Sequence, residues 1–473
     1  MTHLDFELFL VDLQYLIKMN GVKHNIDNIA KLKLNYYNNF TDEQKLYVSN
    51  YIKSAVQKEA NEALDRNSSS GCIFMATGTG KSKVVIDRIT DIFSGYYCKT
   101  GGIDKRLSIL ENPPKIILTV PTEKLRDVGW KNEFIKWASI DMYQCIETTC
   151  YASLHKFKDR QVHLILDEGH NLTDLSAEFF ENNKVLSCIV LTGTRPTSRY
   201  KIELFKRLDL KPVYEITLDE AVKLDIVAPY DITVVRVPLN SKDRNILGGT
   251  KDKPFMQTEV ERYNYLSRLC MFSTNPFARI NRMKFLYSIQ SKTTAAKLIL
   301  QHIIPQEDRV LIFCGGKSQA NELCEHRYYS KPSKPTKLKS GATESKQAKY
   351  AADLIKYNNM INYYQGDASY NAFCKKEINR LSCCEALNEG QNIDDLDWGL
   401  VAQLNSNNLD FGQRLGRIIR FRIGHRGKVI ILVAEETIDE DWLSKAIVGL
   451  DRSCIKYITL EQLRLNKHLI SIN

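Results

Sequence analysis

Three short stretches carry residue types whose spacing could do chemistry. The first is Met75-Ala-Thr-Gly-Thr-Gly-Lys-Ser82, which follows the apolar run Cys72–Met75 and precedes a helical pattern with Val84, Val85, Ile86 and Ile89. Gly78 and Gly80 let backbone N–H groups converge on a phosphate with no Cβ in the way. A helix starting near Lys81 adds the positive end of its dipole. Lys81 can reach the β- and γ-phosphates, and the Ser82 hydroxyl can ligate Mg²⁺. Thr77, Gly78, Thr79, Gly80, Lys81 and Ser82 are therefore the candidate nucleotide cradle. The full phosphate-loop pattern has a Gly at the position that Met75 holds here.

The second stretch is Asp167-Glu168-Gly169-His170, at the end of the apolar run Val162-His-Leu-Ile-Leu. Hydrolysis of a bound triphosphate needs an acid on the metal side and a base to orient the attacking water. Asp167 suits the first role, with Ser82 as its metal partner, and Glu168 the second. Two acids at a strand end also suit a helix N-cap, and only the pairing with Lys81 favours catalysis. The third stretch is Gln413-Arg-Leu-Gly-Arg-Ile-Ile-Arg420, whose arginines at i, i+3 and i+6 share a helical face. Such a face can supply an arginine finger to a triphosphate, or it can simply bind solvent or a phosphate backbone.

The elements that must position these residues alternate. Apolar strands are expected at 115–122, 162–167 and 187–193, with helices between them, and a helix is expected from Glu123 to about Trp137. That pattern means a parallel sheet covered on both faces, with ligands at the carboxyl ends of its strands. Ser82, Asp167 and Thr192 all fall there. A second series has strands at 232–238, 309–314, 380–385, 399–404 and 428–434, a polar stretch at about 240–255 and continuous helix over 256–304. Three helical patterns precede the first sheet, at 4–19, 24–36 and 41–66, the last opening on the capping pattern Thr41-Asp-Glu-Gln44. Residues 331–349 depart from this rhythm. They hold six lysines among Pro332, Pro335 and Gly341 and read as an exposed basic insertion, either solvated or against a phosphate backbone.

The chain has 473 residues, enough for two or three domains, and a net charge of +10, which fits a nucleic-acid partner without requiring one. Twelve cysteines are scattered with no zinc-ligand spacing, as in a reduced cytosolic protein. No apolar run approaches a membrane span. The first residues mix acids into an apolar run, as an amphipathic helix does and a signal peptide does not.

These motifs, in this order over about 72–420, resemble those of the superfamily 2 helicases. Met75–Ser82 matches motif I, in a form that often lacks the first Gly. Val120-Pro-Thr122, with Trp130 after it, resembles motif Ia, and Thr149–Ser153 a backbone-touching strand end. Asp167–His170 resembles the DEAH box with Gly169 in place of Ala. Leu191-Thr-Gly-Thr194 resembles motif III, Val310–Cys314 motif IV, Tyr364-Gln-Gly-Asp367 the strand-end motif after it, and Ala386–Asp394 motif V. Gln413–Arg420 matches motif VI. The join at 217–230 and the Asn388-Glu389-Gly390 form of motif V look most like the type III restriction motor group, which includes compact phage and viral DNA helicases. No nuclease pattern follows residue 434.

The resemblance implies two tandem RecA-like parallel-sheet α/β domains, at 41–226 and 227–473, behind a helical segment at 1–40. It implies ATP and Mg²⁺ as cofactors, with Lys81, Asp167, Glu168, Gln413, Arg417 and Arg420 catalytic. Gly390 and Asp394 would contact the nucleotide, and Gln44 would read adenine. Thr122, Ser153, Thr192, Thr194, Gly366 and Asn388 would meet nucleic acid, with DNA favoured over RNA and forked or branched substrates admitted. The implied protein is a cytoplasmic monomer, in the host cytoplasm if viral, that works with replication or recombination proteins. Its activity would be unwinding or branch remodelling. Duplex translocation without strand separation, and an ATP-gated nucleic-acid-binding subunit with little turnover, are the alternatives.

Overall fold

The computed structural model describes residues 3–100, 114–193, 195–250, 253–272, 277–338, 343–384, 393, 395–405 and 408–465. The chain forms two compact units. The first takes Met1–Pro229 and, from far downstream, Ile419–His425, and the second takes most of the remainder.

In the first unit the apolar runs become strands of one sheet: β1 (Gly71–Met75), β2 (Ile116–Val120), β3 (Glu147–Cys150), β4 (Gln161–Leu166), β5 (Lys184–Thr192) and β6 (Pro212–Ile216). Their order is β3-β2-β4-β5-β1-β6, and every pairing is parallel. Every residue of β1 and β2 is buried, as expected for strands covered on both faces. Sequence patterning overlooked β3 and β6, because Glu147-Thr-Thr-Cys150 and Pro212-Val-Tyr-Glu-Ile216 are short and half polar.

Three helices precede β1: α1 (His3–Asn20), α2 (Ile26–Tyr36) and α3 (Asp42–Arg66). They belong to the first unit. Lys23 Nζ pairs with Glu220 at 2.6 Å, and the buried Lys33 pairs with Asp225 at 2.5 Å while donating to Lys223 O. The segment Ile419–His425 is tied in as well, through Ala228 N–H to Ile419 O at 2.8 Å and a bridge between Val227 and Arg420. Arg420, expected in the second domain, thus lies in the first unit.

The second unit holds β7 (Tyr230–Val237), an antiparallel hairpin of β8 (Ile246–Thr250) and β9 (Lys253–Gln257), then β10 (Val310–Phe313), β11 (Arg327–Tyr329), β12 (Arg380–Cys384), β13 (Trp398–Val401), β14 (Gly427–Ala434) and β15 (Ile455–Thr459). The main sheet runs β11-β12-β10-β13-β14-β7-β15, all parallel. The strand pattern implied parallel sheets, and the two sheets are those of the two tandem RecA-like domains that the resemblance implied. The hairpin replaces the polar stretch and takes in residues 256–257. The described residues from there to 304 form three separate helices, Glu259–Phe272, Phe277–Leu286 and Gln290–His302, where continuous helix was expected. No helix among the described residues is long and apolar enough to cross a membrane.

Close packing dictates one glycine here. A Cβ on Gly399 of β13 would sit 2.0 Å from Ile418 Cδ1, at the end of the helix Asn408–Ile418 that carries Gln413 and Arg417. Gly399→Ala is expected to cost about 1–3 kcal/mol by overpacking. The measurement is the urea midpoint at constant m, and Ile418→Ala in the same chain should restore part of the loss.

Candidate active site

The phosphate loop joins β1 to the helix Lys81–Thr100. Gly78 and Gly80 have φ of +93° and +91°, a region that only glycine enters at no cost. A Cβ at Gly80 would lie 2.1 Å from Gln57 Nε2 and 3.2 Å from Lys53 Cε, so α3 closes directly on the loop. Gln57 Nε2 also donates to Thr79 O at 3.1 Å. The Thr79 hydroxyl is buried and donates to Ala76 O at 2.7 Å, which shapes the loop from within. Thr77 and Ser82 are half-buried.

Lys81 Nζ is held by Met75 O at 3.2 Å and stands 3.7 Å from Glu168 Oε1. Met75, at the position where the full pattern has a Gly, thus serves through its backbone carbonyl, which needs no particular side chain. Gly193, at the end of β5, abuts the same place. A Cβ there would be 3.6 Å from Lys81 Nζ and 3.8 Å from Thr77 Oγ1.

The acid box leaves β4 through a sharp turn, with Glu168 in the left-handed region at φ +49°. Asp167 is buried. Its Oδ2 accepts from Trp130 Nε1 at 2.8 Å, and its Oδ1 accepts from Glu168 N–H at 3.1 Å. Tyr151 donates to the Asp167 backbone carbonyl at 2.8 Å. Burial, and then the Glu168 charge, push the Asp167 carboxyl up to about 7, against the pull of Trp130, Lys81 and the Glu168 N–H. A buried acid beside a second acid is a site short of positive charge. That fits a divalent cation, and Asp167 and Ser82 are the residues that would hold it.

Glu168 Oε2 lies 3.5 Å from His170 Nδ1, which in turn meets Thr192 Oγ1 at 3.3 Å. Thr192 is only 1% exposed, so its hydroxyl serves the acid box and has no surface to offer a nucleic acid. Gly169 answers a steric demand. A Cβ there would fall 2.1 Å from Val190 Cγ1 of β5, which explains Gly where the DEAH pattern has Ala.

Other expected site residues are placed as follows. Gln44 is consumed by its capping box, with Oε1 accepting from Thr41 N–H at 2.9 Å, so the glutamine of α3 that reaches the loop is Gln57. The exposed Thr122 accepts from Leu125 N–H at 3.3 Å at the end of β2, and Ser153 is half-buried in the short helix after β3. Gly366 does not end a strand. The segment 330–363 separates it from β11, and Gln365 ties the turn back by accepting from Arg327 N–H at 2.8 Å. Thr194, Asn388, Gly390 and Asp394 lie outside the described residues. In the second unit Arg417 is buried, and its charge is felt by Tyr370 and Cys383. Arg414 donates to Gln403 O at 3.0 Å and stacks over Phe313. The buried Gln413 Oε1 has no hydrogen-bond partner.

Sequence reasoning missed Lys53, Gln57, Tyr151 and Gly193. Lys53 and Gln57 are one turn apart on α3, a spacing that marks a shared face but not what the face meets. Lys53 is half-buried, and burial followed by the charges of Lys136 and Arg420 brings it down to about 8, with Glu133 opposing.

No family model matches the chain, and no curated protein does. Several solved structures resemble it in fold. S. cerevisiae Dbp5 bound to RNA and ADP BeF3 has 11% identity and a TM-score of 0.48, over 88% of this chain and 92% of that one. The helicase domain of Pyrococcus furiosus Hef has 13% identity and a TM-score of 0.40, over 83% and 97%. The ATP-dependent Type ISP restriction-modification enzyme LlaBIII bound to DNA has 14% identity and a TM-score of 0.46 over 85% of this chain, which spans 31% of that enzyme's length. The features of the chain itself are two all-parallel main sheets, a glycine-rich loop after β1, an acid pair after β4, and an arginine-bearing helix after β13.

Two outcomes test this geometry. Gly169→Ala should lower the thermal midpoint and slow nucleotide turnover, and Val190→Ala added to it should restore both, since the clash is with that one side chain. Binding of a fluorescent ATP analogue should weaken as the pH rises through about 8, where Lys53 loses its proton beside the loop. In Lys53→Met that step should vanish from the pH titration.

Proposed function

We propose that the chain is a nucleic-acid-dependent ATP hydrolase of the helicase type, acting on DNA by preference, which couples Mg-ATP turnover to movement along a strand. The observation that carries this reading is the Lys81–Glu168 approach of 3.7 Å, with the cation-seeking Asp167 beside it. A phosphate-binding residue and a base candidate from different strand ends meet in one place.

In this reading Lys81 Nζ leaves Glu168 for the β- and γ-phosphates when ATP binds. Glu168 is then free to accept the proton of a water whose oxygen attacks the γ-phosphorus, while the bond to the bridging oxygen breaks and ADP departs. Mg²⁺, when bound, supplies charge to the phosphates. Trp130 and Tyr151 fix the Asp167 end of the box, and His170 connects Glu168 to Thr192 on the next strand. Thr122 and Ser153, at the ends of β2 and β3, are the candidate backbone contacts of the first unit. Contacts of that kind carry no sequence information, so strandedness and shape would select the substrate. The motif V form and the 217–230 join support DNA. The retained acid pair speaks against a binder without turnover.

Glu168→Gln should bind ATP normally and lose nucleic-acid-stimulated hydrolysis by roughly 10²–10⁴-fold. Lys81→Ala should lose both. Arg417→Ala, at the candidate finger, should lower kcat by roughly 10³-fold with little change in ATP affinity. Phosphate release with and without single-stranded, duplex and forked DNA or RNA reads all three, and full turnover in Lys81→Ala or Glu168→Gln would overturn the assignment. Strand displacement on the forked substrate separates unwinding from duplex translocation.

A further inference from the structure

The second unit contains a cavity of about 650 Å³ that the nucleotide chemistry does not use. Its floor is the turn Gly315-Gly316 at the carboxyl end of β10. The chain leaves β10 toward β11 on one side and later crosses from β12 to β13 on the other, so β10 marks a reversal of strand order. Crevices at such reversals are where parallel sheets bind ligands. Gly315 is packed against Gln403 and Tyr287, where a Cβ would come within 2.8 Å and 3.0 Å, whereas nothing stands within 4 Å of a Cβ at Gly316. The floor is thus open to an incoming group.

The walls carry three lysines and two tyrosines: Lys284, Lys317, Lys356, Tyr287 and Tyr357. Lys284 and Lys356 are exposed at the rim, and the two tyrosines are half-buried. Lys317 is oriented by Ser330 O at 2.7 Å and by the Tyr329 ring. Tyr287 is braced edge-on by Trp442, at 6.2 Å between ring centres. Two carboxylates also line the cavity. Glu322 is already held by Lys297 at 3.1 Å, and Asp353 can accept from the N–H edge of a base.

The outer wall comes from the basic insertion. Pro332 and Pro335 contribute from its extended part, and Lys356 and Tyr357 from the helix Glu344–Asn362, none of whose residues is buried. A helix with no buried residue adds little to the core, and Asp353, Lys356, Tyr357 and Met360 of it line the cavity. The combination of flat aromatic rings, rim lysines and an open glycine floor matches a base with phosphates on either side, in a volume typical of small-ligand pockets.

We propose that this cavity takes one unstacked base and its flanking phosphates from a single nucleic-acid strand, with Pro332, Pro335, Lys356 and Tyr357 of the insertion as its outer wall. The inference rests on the motor reading above and gives the second unit a strand-holding site of its own. Tyr357 stacks on the base, and Lys284 and Lys356 hold the phosphates.

The test uses the full chain and single-stranded dT and rU oligonucleotides, each with one 2-aminopurine. Lys284→Ala with Lys356→Ala should weaken binding roughly tenfold and reduce the log–log salt slope by about 1.4, two single-strand phosphates' worth. Tyr357→Ala should abolish the 2-aminopurine quench, and Tyr357→Phe should keep it. Affinity for a fluorescent ATP analogue should be unchanged in all of them. Binding of dT by the wild type with rU excluded, or of both, names the substrate, and weakening of that binding with loss of the quench in the variants supports the site. Wild-type affinity, slope and quench in the variants would overturn the cavity while leaving the motor reading intact. Failure of the wild type to bind either oligonucleotide would overturn both.

Discussion

The first unit depends on one electrostatic constraint: β4 delivers a carboxylate, Asp167, into a buried position next to a second carboxylate. Burial, and then the charge of that second carboxylate, raise its affinity for a proton, with Lys81 pulling the other way. The surroundings are built to tolerate that position. Trp130 donates to one oxygen and the Glu168 N–H to the other, while Tyr151 holds the backbone. Trp130 closes a stretch of π-helix, Leu125–Trp130, a departure from α-helical winding that recurs at functional sites. The strain of Glu168 at positive φ belongs to the same arrangement.

A second constraint is steric and operates at strand–strand and strand–helix contacts. Gly169 has no room for a methyl because Val190 fills it, and Gly399 has none because Ile418 does. In both cases the neighbour is a buried branched side chain that cannot move without opening the core. The glycines therefore set how closely the acid box approaches β5 and how closely the arginine-bearing helix approaches β13. Gly80 plays the same part between the phosphate loop and α3, where Gln57 and Lys53 crowd it.

The second unit shows how an insertion can be added to a parallel sheet without disturbing it. The segment 330–363 enters after β11, an edge strand, so no inner pairing is interrupted. Gln365 returns the chain to β11 by bonding Arg327 N–H and Glu325 O. The core of the unit, from Val235 on β7 to Leu432 on β14, closes without help from the inserted helix. What the insertion does change is the carboxyl end of β10, where it walls a space that would otherwise face solvent.

Much of this was legible in the residues alone. A buried parallel strand is a run of apolar residues, and a phosphate loop or an acid pair is local in sequence, so β1, β4, β5, β10 and β14 and the motifs at their ends could be read off directly. The short polar strands β3 and β11 could not, because pairing rather than composition makes them strands. Only the tertiary structure decided which side chains converge. It chose Gln57 over Gln44 at the loop, turned Thr192 inward to His170, placed Arg420 with the first unit, and separated Gly366 from its strand. It also gave Gly169 its reason in Val190. Each of these depends on distances between residues tens or hundreds of positions apart, and a linear pattern carries no record of which buried neighbour will occupy the space beside a given Cα.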